Sequence, residues 1–171
     1  ILRQPRLAQD CRLAALIPLL GLFGVLHGIN EWLDFLRVIR GGDPVLDALR
    51  AAVLPLSFLP LLEFGRRLMQ PRLGRWASPW MLALPLGAVG ATAMASKLSV
   101  EHTLLASRYA LALPGSLLTG AGLLLYARTA ESWVDSRRVR TMLATTGAVF
   151  LAYAVLAGLV VPPLDVPLAR S

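Results

Sequence analysis

The chain has 171 residues, 56% of them hydrophobic and only 16% charged, with a mean hydropathy of +0.64. Soluble domains lie near about 45–50% apolar and about 25% charged, so a single aqueous core cannot hide this much apolar surface; lipid is the solvent the composition requires. The net charge of +7 comes almost wholly from arginines dispersed between apolar runs, a pattern suited to anionic headgroups and not to nucleic acid, where basic and aromatic residues interleave.

The order of the chain supports an all-α integral membrane bundle of about five transmembrane helices, forming a single domain over residues 1–171. Ile1 in place of methionine is read as the start of a segment of a longer or processed product. Each apolar stretch is compared with the about 20 helical residues that cross a hydrocarbon core. The first runs over 13–33; it follows a basic start, but no small-residue cleavage site interrupts it before Trp32, so it is expected to be retained. The second runs over 45–64, the third and shortest over 80–96, the fourth over 109–127 and the fifth over 142–161. The runs are continuous and rich in Leu and Ala, without the alternation of a membrane strand. Pro55, Pro60, Pro85 and Pro114 interrupt spans two to four, where they bend helices and free carbonyls. The connections Lys97 to Arg108 and Thr129 to Thr141 mix charged and apolar residues, which suits either an interfacial segment or an extension of a neighbouring helix.

Arginine placement predicts a cytoplasmic N-terminus. That orientation puts eleven basic and four acidic residues inside, and six of each outside. Trp76, Trp80 and Trp133 then fall at inner boundaries and Trp32 at an outer one, as interfacial anchors do. The lone Cys11 excludes an internal disulfide and a multi-cysteine zinc site.

Two kinds of residue stand out. Gly21, Gly24 and Gly28 follow spacings of three and four, so they share a face of the first span on which another helix can approach closely. Gly115, Thr119 and Gly122 give the fourth span a similar face, matched in expectation by Gly87, Gly90 and Ala91 of the third. On the outer half of the first span, His27, Glu31 and Asp34 follow spacings of four and three. Ionisable groups at membrane depth are costly and are paired or functional. These three, with Arg108, form the candidate ligand-binding cluster; the plainer alternative pairs His27 with Glu31 and Asp34 with Arg37. His27 and His102 are the two histidines, weak candidates for a divalent metal or haem, since HxxxE without a second histidine on the helix is a poor metal signal. Glu63 precedes Arg66 and Arg67 and is expected to pair with them locally. No nucleophile elbow, Walker loop or HExxH is present, so no catalytic role and no resident cofactor are expected.

The stretch Gly21–Leu–Phe–Gly–Val–Leu–His–Gly–Ile–Asn–Glu–Trp32 resembles the first span of the N-terminal multi-pass membrane region of bacterial sensor histidine kinases, and similar regions precede diguanylate cyclases. Leu62–Glu–Phe–Gly–Arg–Arg67, Arg108–Tyr–Ala–Leu–Ala–Leu–Pro–Gly115 and Gly158–Leu–Val–Val–Pro162 agree with it. The resemblance implies a sensory input domain of a two-component or cyclase system in the bacterial inner membrane, relaying its signal by helix repacking. No HAMP, PAS, kinase or cyclase segment is present in the 171 residues. Two other classes stay open: an accessory or scaffolding subunit, as a homodimer or in a larger complex, and a haem- or metal-binding redox subunit.

Overall fold

A computed structural model describes residues 4–41, 43–129 and 137–158, with side chains from residue 12 to residue 156 within those ranges. Among them there are helices and turns and no strand. The elements are α1 (Gln4–Arg40), α2 (Pro44–Leu73), a 3-10 turn (Gly74–Ala77), α3 (Trp80–Ala95), α4 (Val100–Ser107), a π-helical turn (Arg108–Ala112), α5 (Leu113–Thr129) and α6 (Arg137–Gly158). Four rods are long and apolar enough to cross a membrane: α1 from Arg12, α2 with its 3-10 turn, the continuous helix Val100–Thr129, and α6. This is the architecture of a multi-pass membrane protein. The third expected span is a shorter apolar helix of 16 residues. At 1.5 Å per residue it measures roughly 24 Å, less than the about 30 Å of a hydrocarbon core.

Helix boundaries have local causes. Asp43 caps α2, its carboxylate accepting from Val45 N–H at 2.8 Å, while Pro44 occupies the first turn, where its missing N–H costs nothing. Gly74 ends α2 at φ +53, and Gly41 makes the α1–α2 turn at φ +76. The α3–α4 turn is tighter. Leu98 N–H bonds Ala93 O and Lys97 N–H bonds Met94 O, the paired bonds of a Schellman cap. Lys97 and Leu98 both adopt positive φ there without glycine's freedom.

The segment 97–108 therefore extends a neighbouring helix: α4 runs on into α5, and the fourth rod starts nine residues before the expected Tyr109. The π turn lies just before Pro114. Proline has no N–H and its ring collides with the carbonyl four residues back; the backbone widens instead, and Leu113 N–H reaches Arg108 O. Most of the Thr129–Thr141 connection, with Trp133, and the end of the fifth span lie outside the described residues.

The core lies between α2 and the continuous rod of α4, the π-helical turn and α5. Leu54, Phe58, Leu61 and Leu62 of α2 meet Leu111 and Ala112, and a second cluster joins Phe64 and Leu68 to Leu16 and Leu123. Between lipid-facing helices, cohesion comes from close contact and hydrogen bonds, not from exclusion of water. The expected small-residue face of span four does pack, but its partner is α2. A Cβ at Gly115 would lie 3.2 Å from the Leu62 backbone, and one at Gly122 would lie 2.8 Å from Leu68. Thr119 donates to Leu61 O at 3.2 Å beside Gly65. Gly87 and Gly90 of α3 have nothing within 4 Å, so the proposed match with α3 is corrected: α2 takes that place. A crossing not anticipated from sequence joins α5 to α6 at Gly120 and Gly147, where a Cβ on either would meet the other's carbonyl at under 3 Å.

The outer surfaces of α1, α3 and α6 are apolar and uncovered, with Val25, Phe35, Leu84, Met94, Val149 and Leu156 exposed. Trp76 and Trp80 at one end of the bundle and Trp32 towards the other are also exposed.

Candidate functional site

Three helices converge on His27. Its ring stacks on Phe23 of α1, with centroids 5.2 Å apart and planes at 22°, and lies 5.3 Å from Phe58 of α2. Tyr153 of α6 meets it edge-on at 6.1 Å. The polar contacts cross helices as well: Nδ1 lies 3.4 Å from Ser57 Oγ and Nε2 lies 3.2 Å from Tyr153 Oη. Ser57 is fully buried and spends its hydroxyl proton on Leu54 O at 2.7 Å. Its oxygen is left as an acceptor, which assigns the histidine proton to Nδ1 and leaves Nε2 to accept from Tyr153. The result is one directional chain, Tyr153 O–H to Nε2, Nδ1–H to Ser57 Oγ, Oγ–H to Leu54 O, tying α6 to α1 and α1 to α2.

The expected cluster divides. At about 100° per residue, Asn30 and Asp34 lie to one side of His27 and Glu31 to the other. Asn30 is only 3% exposed, whereas the Glu31 side chain is 64% exposed, 3.7 Å from His27 Nε2. Arg108 is close enough to act electrostatically on both His27 and Tyr153, and its side chain makes no hydrogen bond or ion pair among the described residues. His27, Glu31 and Arg108 are thus brought into one neighbourhood. Asp34 also acts electrostatically on His27, but its direct contacts are made elsewhere.

Asp34 instead pairs with Arg50 of α2, whose Nε contacts its carboxylate. Arg50 also reaches Asp47 at 3.2 Å, and Arg37 forms an ion pair with Asp47 at 2.8 Å. Asn30 Nδ2 lies 3.5 Å from Asp34, and its Oδ1 is buried without a partner among the described residues. This network is charge-balanced and clamps the α1–α2 hairpin near its turn. The expected Asp34–Arg37 pair is corrected accordingly: the neighbouring helix offers Asp34 the partly buried Arg50 guanidinium, and Arg37 turns to Asp47. At the other end of the bundle, Glu63 receives Arg66 at 2.6 and 2.7 Å and also pairs with Arg67, as expected. Arg66 additionally donates to Ala77 O, and Arg12 donates to Arg67 O at 2.6 Å.

His102 is exposed and bonds Ser99 of its own turn at 2.9 Å. Both ring nitrogens of His27 are engaged, and no group of three or more His, Cys, Asp or Glu that could hold a metal occurs among the described residues. A Cβ added at Gly21, Gly24 or Gly28 would meet nothing within 4 Å, so the glycine face of α1 packs against no helix among the described residues.

Sequence reasoning missed Tyr153, Ser57 and Arg50. Ser57 and Tyr153 each sit alone among apolar residues of their spans, and a lone polar residue in a span carried the available signal. No protein-family model, no curated protein and no solved structure matches this chain.

Proposed function

We propose that this chain is a membrane-embedded sensory domain of a bacterial signalling protein, without catalysis of its own, whose responsive element is the His27–Ser57–Tyr153 junction. The reading places it in the inner membrane with its arginine-rich end in the cytoplasm, following the charge asymmetry. The observation that carries it is the convergence of α1, α2 and α6 on one ionisable side chain, with each ring nitrogen committed to a different helix. A proton, a cation or a hydrogen-bonding small molecule that takes Nε2 removes the acceptor from Tyr153. A protonated imidazole then has Glu31 as its partner at 3.7 Å, and Arg108 opposes it. The tie between α1 and α6 is exchanged for a tie within α1. An interhelical hydrogen bond in a membrane contributes about 0.6–1.7 kcal/mol, so its loss moves a two-state bundle roughly 3- to 20-fold.

Spin labels at the exposed positions Val25 and Val155, read by pulsed dipolar distance measurement in lipid nanodiscs, test this. Tyr153→Phe and His27→Ala are expected to shift or broaden the α1–α6 distance distribution, while Glu31→Gln leaves the resting distribution in place. Identical distributions in all variants would reject the junction as a responsive element.

One observation favours an accessory or self-associating subunit instead, the open glycine face of α1. That reading predicts a stoichiometric partner lost on Gly24→Leu with the Val25–Val155 distances unchanged.

A further inference from the structure

A cleft of about 460 Å³ opens between the end of α5 and the start of α6. Arg128, Arg137 and Arg140 line it together with Thr141, over an apolar floor that includes Leu124 and Ala127. Its position follows from the packing: α5 and α6 are pinned at Gly120 and Gly147, and the cleft begins about one turn beyond that crossing, at Leu124 and Ala144. The three arginines are exposed, and none of their guanidiniums has an ion-pair or hydrogen-bond partner among the described residues. Three other arginines at this end of the bundle are used: Arg66 and Arg67 hold Glu63, and Arg12 holds the end of α2. The connection 130–136 contributes Glu131 and Asp135, so the stretch from Arg128 to Arg140, with four arginines, keeps a net charge of +2.

Guanidiniums present planar, forked donors that match phosphate oxygens. Three of them above an apolar groove between two membrane helices suit a molecule that is anionic at the interface and apolar below it. We propose that this cleft binds the phosphate headgroup of an anionic phospholipid, such as phosphatidylglycerol, with an acyl chain lying along the α5–α6 groove past Leu124. The assignment does not depend on the sensory reading. A lipid seated there would brace α6, the helix that carries Tyr153, against α5.

The test is native mass spectrometry of the purified full chain in detergent, titrated with phosphatidylglycerol or with phosphatidylcholine of the same acyl chains. Near an anionic surface each basic residue contributes about fivefold in affinity, so the double substitution Arg128→Gln/Arg140→Gln is expected to weaken phosphatidylglycerol binding roughly 25-fold. Arg140→Lys should retain most of the binding. Arg75→Gln, an inner-end arginine outside the cleft, should retain all of it, and helicity by circular dichroism should be unchanged in every variant. Equal weakening by Arg75→Gln, or no weakening by the double substitution, overturns the site. Equal binding of phosphatidylcholine overturns headgroup recognition. Displacement of the lipid by millimolar inorganic phosphate overturns the lipid assignment in favour of a free anion.

Discussion

Adding one methyl group at Gly65 separates contact-driven packing from mere helix formation. A Cβ there would lie 2.8 Å from Leu118 Cβ, 2.8 Å from Thr119 N and 3.0 Å from Thr119 Oγ1. Two of these atoms belong to the backbone or its first carbon and cannot swing aside, so α5 must move away from α2 by several tenths of an ångström. That displacement stretches the buried Thr119-to-Leu61 hydrogen bond, already 3.2 Å long. Overpacking costs about 1–3 kcal/mol and the interhelical bond about 0.6 kcal/mol more. Replacing glycine by alanine inside a helix returns up to about 1 kcal/mol, leaving Gly65→Ala destabilised by roughly 1–3 kcal/mol. Gly24→Ala is the matched control. Nothing lies within 4 Å of its Cβ position, so the propensity gain alone remains and the variant should be neutral or more stable. Reversible unfolding in mixed lipid–detergent micelles, titrated with a denaturing detergent and followed by circular dichroism, measures both. Equal stabilities for the two variants would refute the α2–α5 crossing as the bundle's structural centre.

The α1–α2 clamp makes a second prediction: Arg50→Ala leaves Asp34 and Asp47 facing one another with only Arg37 to balance them. Both carboxylates keep some contact with water, so the loss should fall below that of a fully buried pair, about 2 kcal/mol in the same unfolding assay; no loss would show that the network is ornamental. Lys97 holds a conformation at φ +52 that glycine adopts freely, and Lys97→Gly should therefore raise stability by about 1 kcal/mol. A lower unfolding midpoint for that variant would contradict the cap as described.

Much of the architecture was legible because hydropathy reports directly on a helix's solvent. The apolar runs of α1, α2 and α6 announce themselves, and Glu63 finds Arg66 and Arg67 because partners three and four residues away need no tertiary knowledge. Partner choice between helices was not legible. Gly115, Thr119 and Gly122 mark a contact face whichever helix fills it, and the same pattern at Gly21, Gly24 and Gly28 faces open space. The start of the fourth rod was misplaced because Lys97, Glu101 and Arg108 break the apolar pattern while the backbone continues as helix. The site was half visible: His27 and Arg108 stand out as ionisable residues, but the division of Asn30 and Asp34 from Glu31 depends on which flank of α1 meets α2. Tyr153 lies 126 positions from His27, and no local spacing connects them.

The proposed sensory junction and the proposed lipid cleft both require a lipid-embedded bundle whose arginine-rich end faces the cytoplasm. Single cysteines at Arg75 and at Lys97, introduced into a Cys11→Ser background, can be probed in intact cells with a membrane-impermeant maleimide. Labelling at position 97, with position 75 reacting only after the cells are opened, is the predicted result. Labelling at position 75 from outside would invert the topology and place the arginine cleft on the wrong side of the membrane.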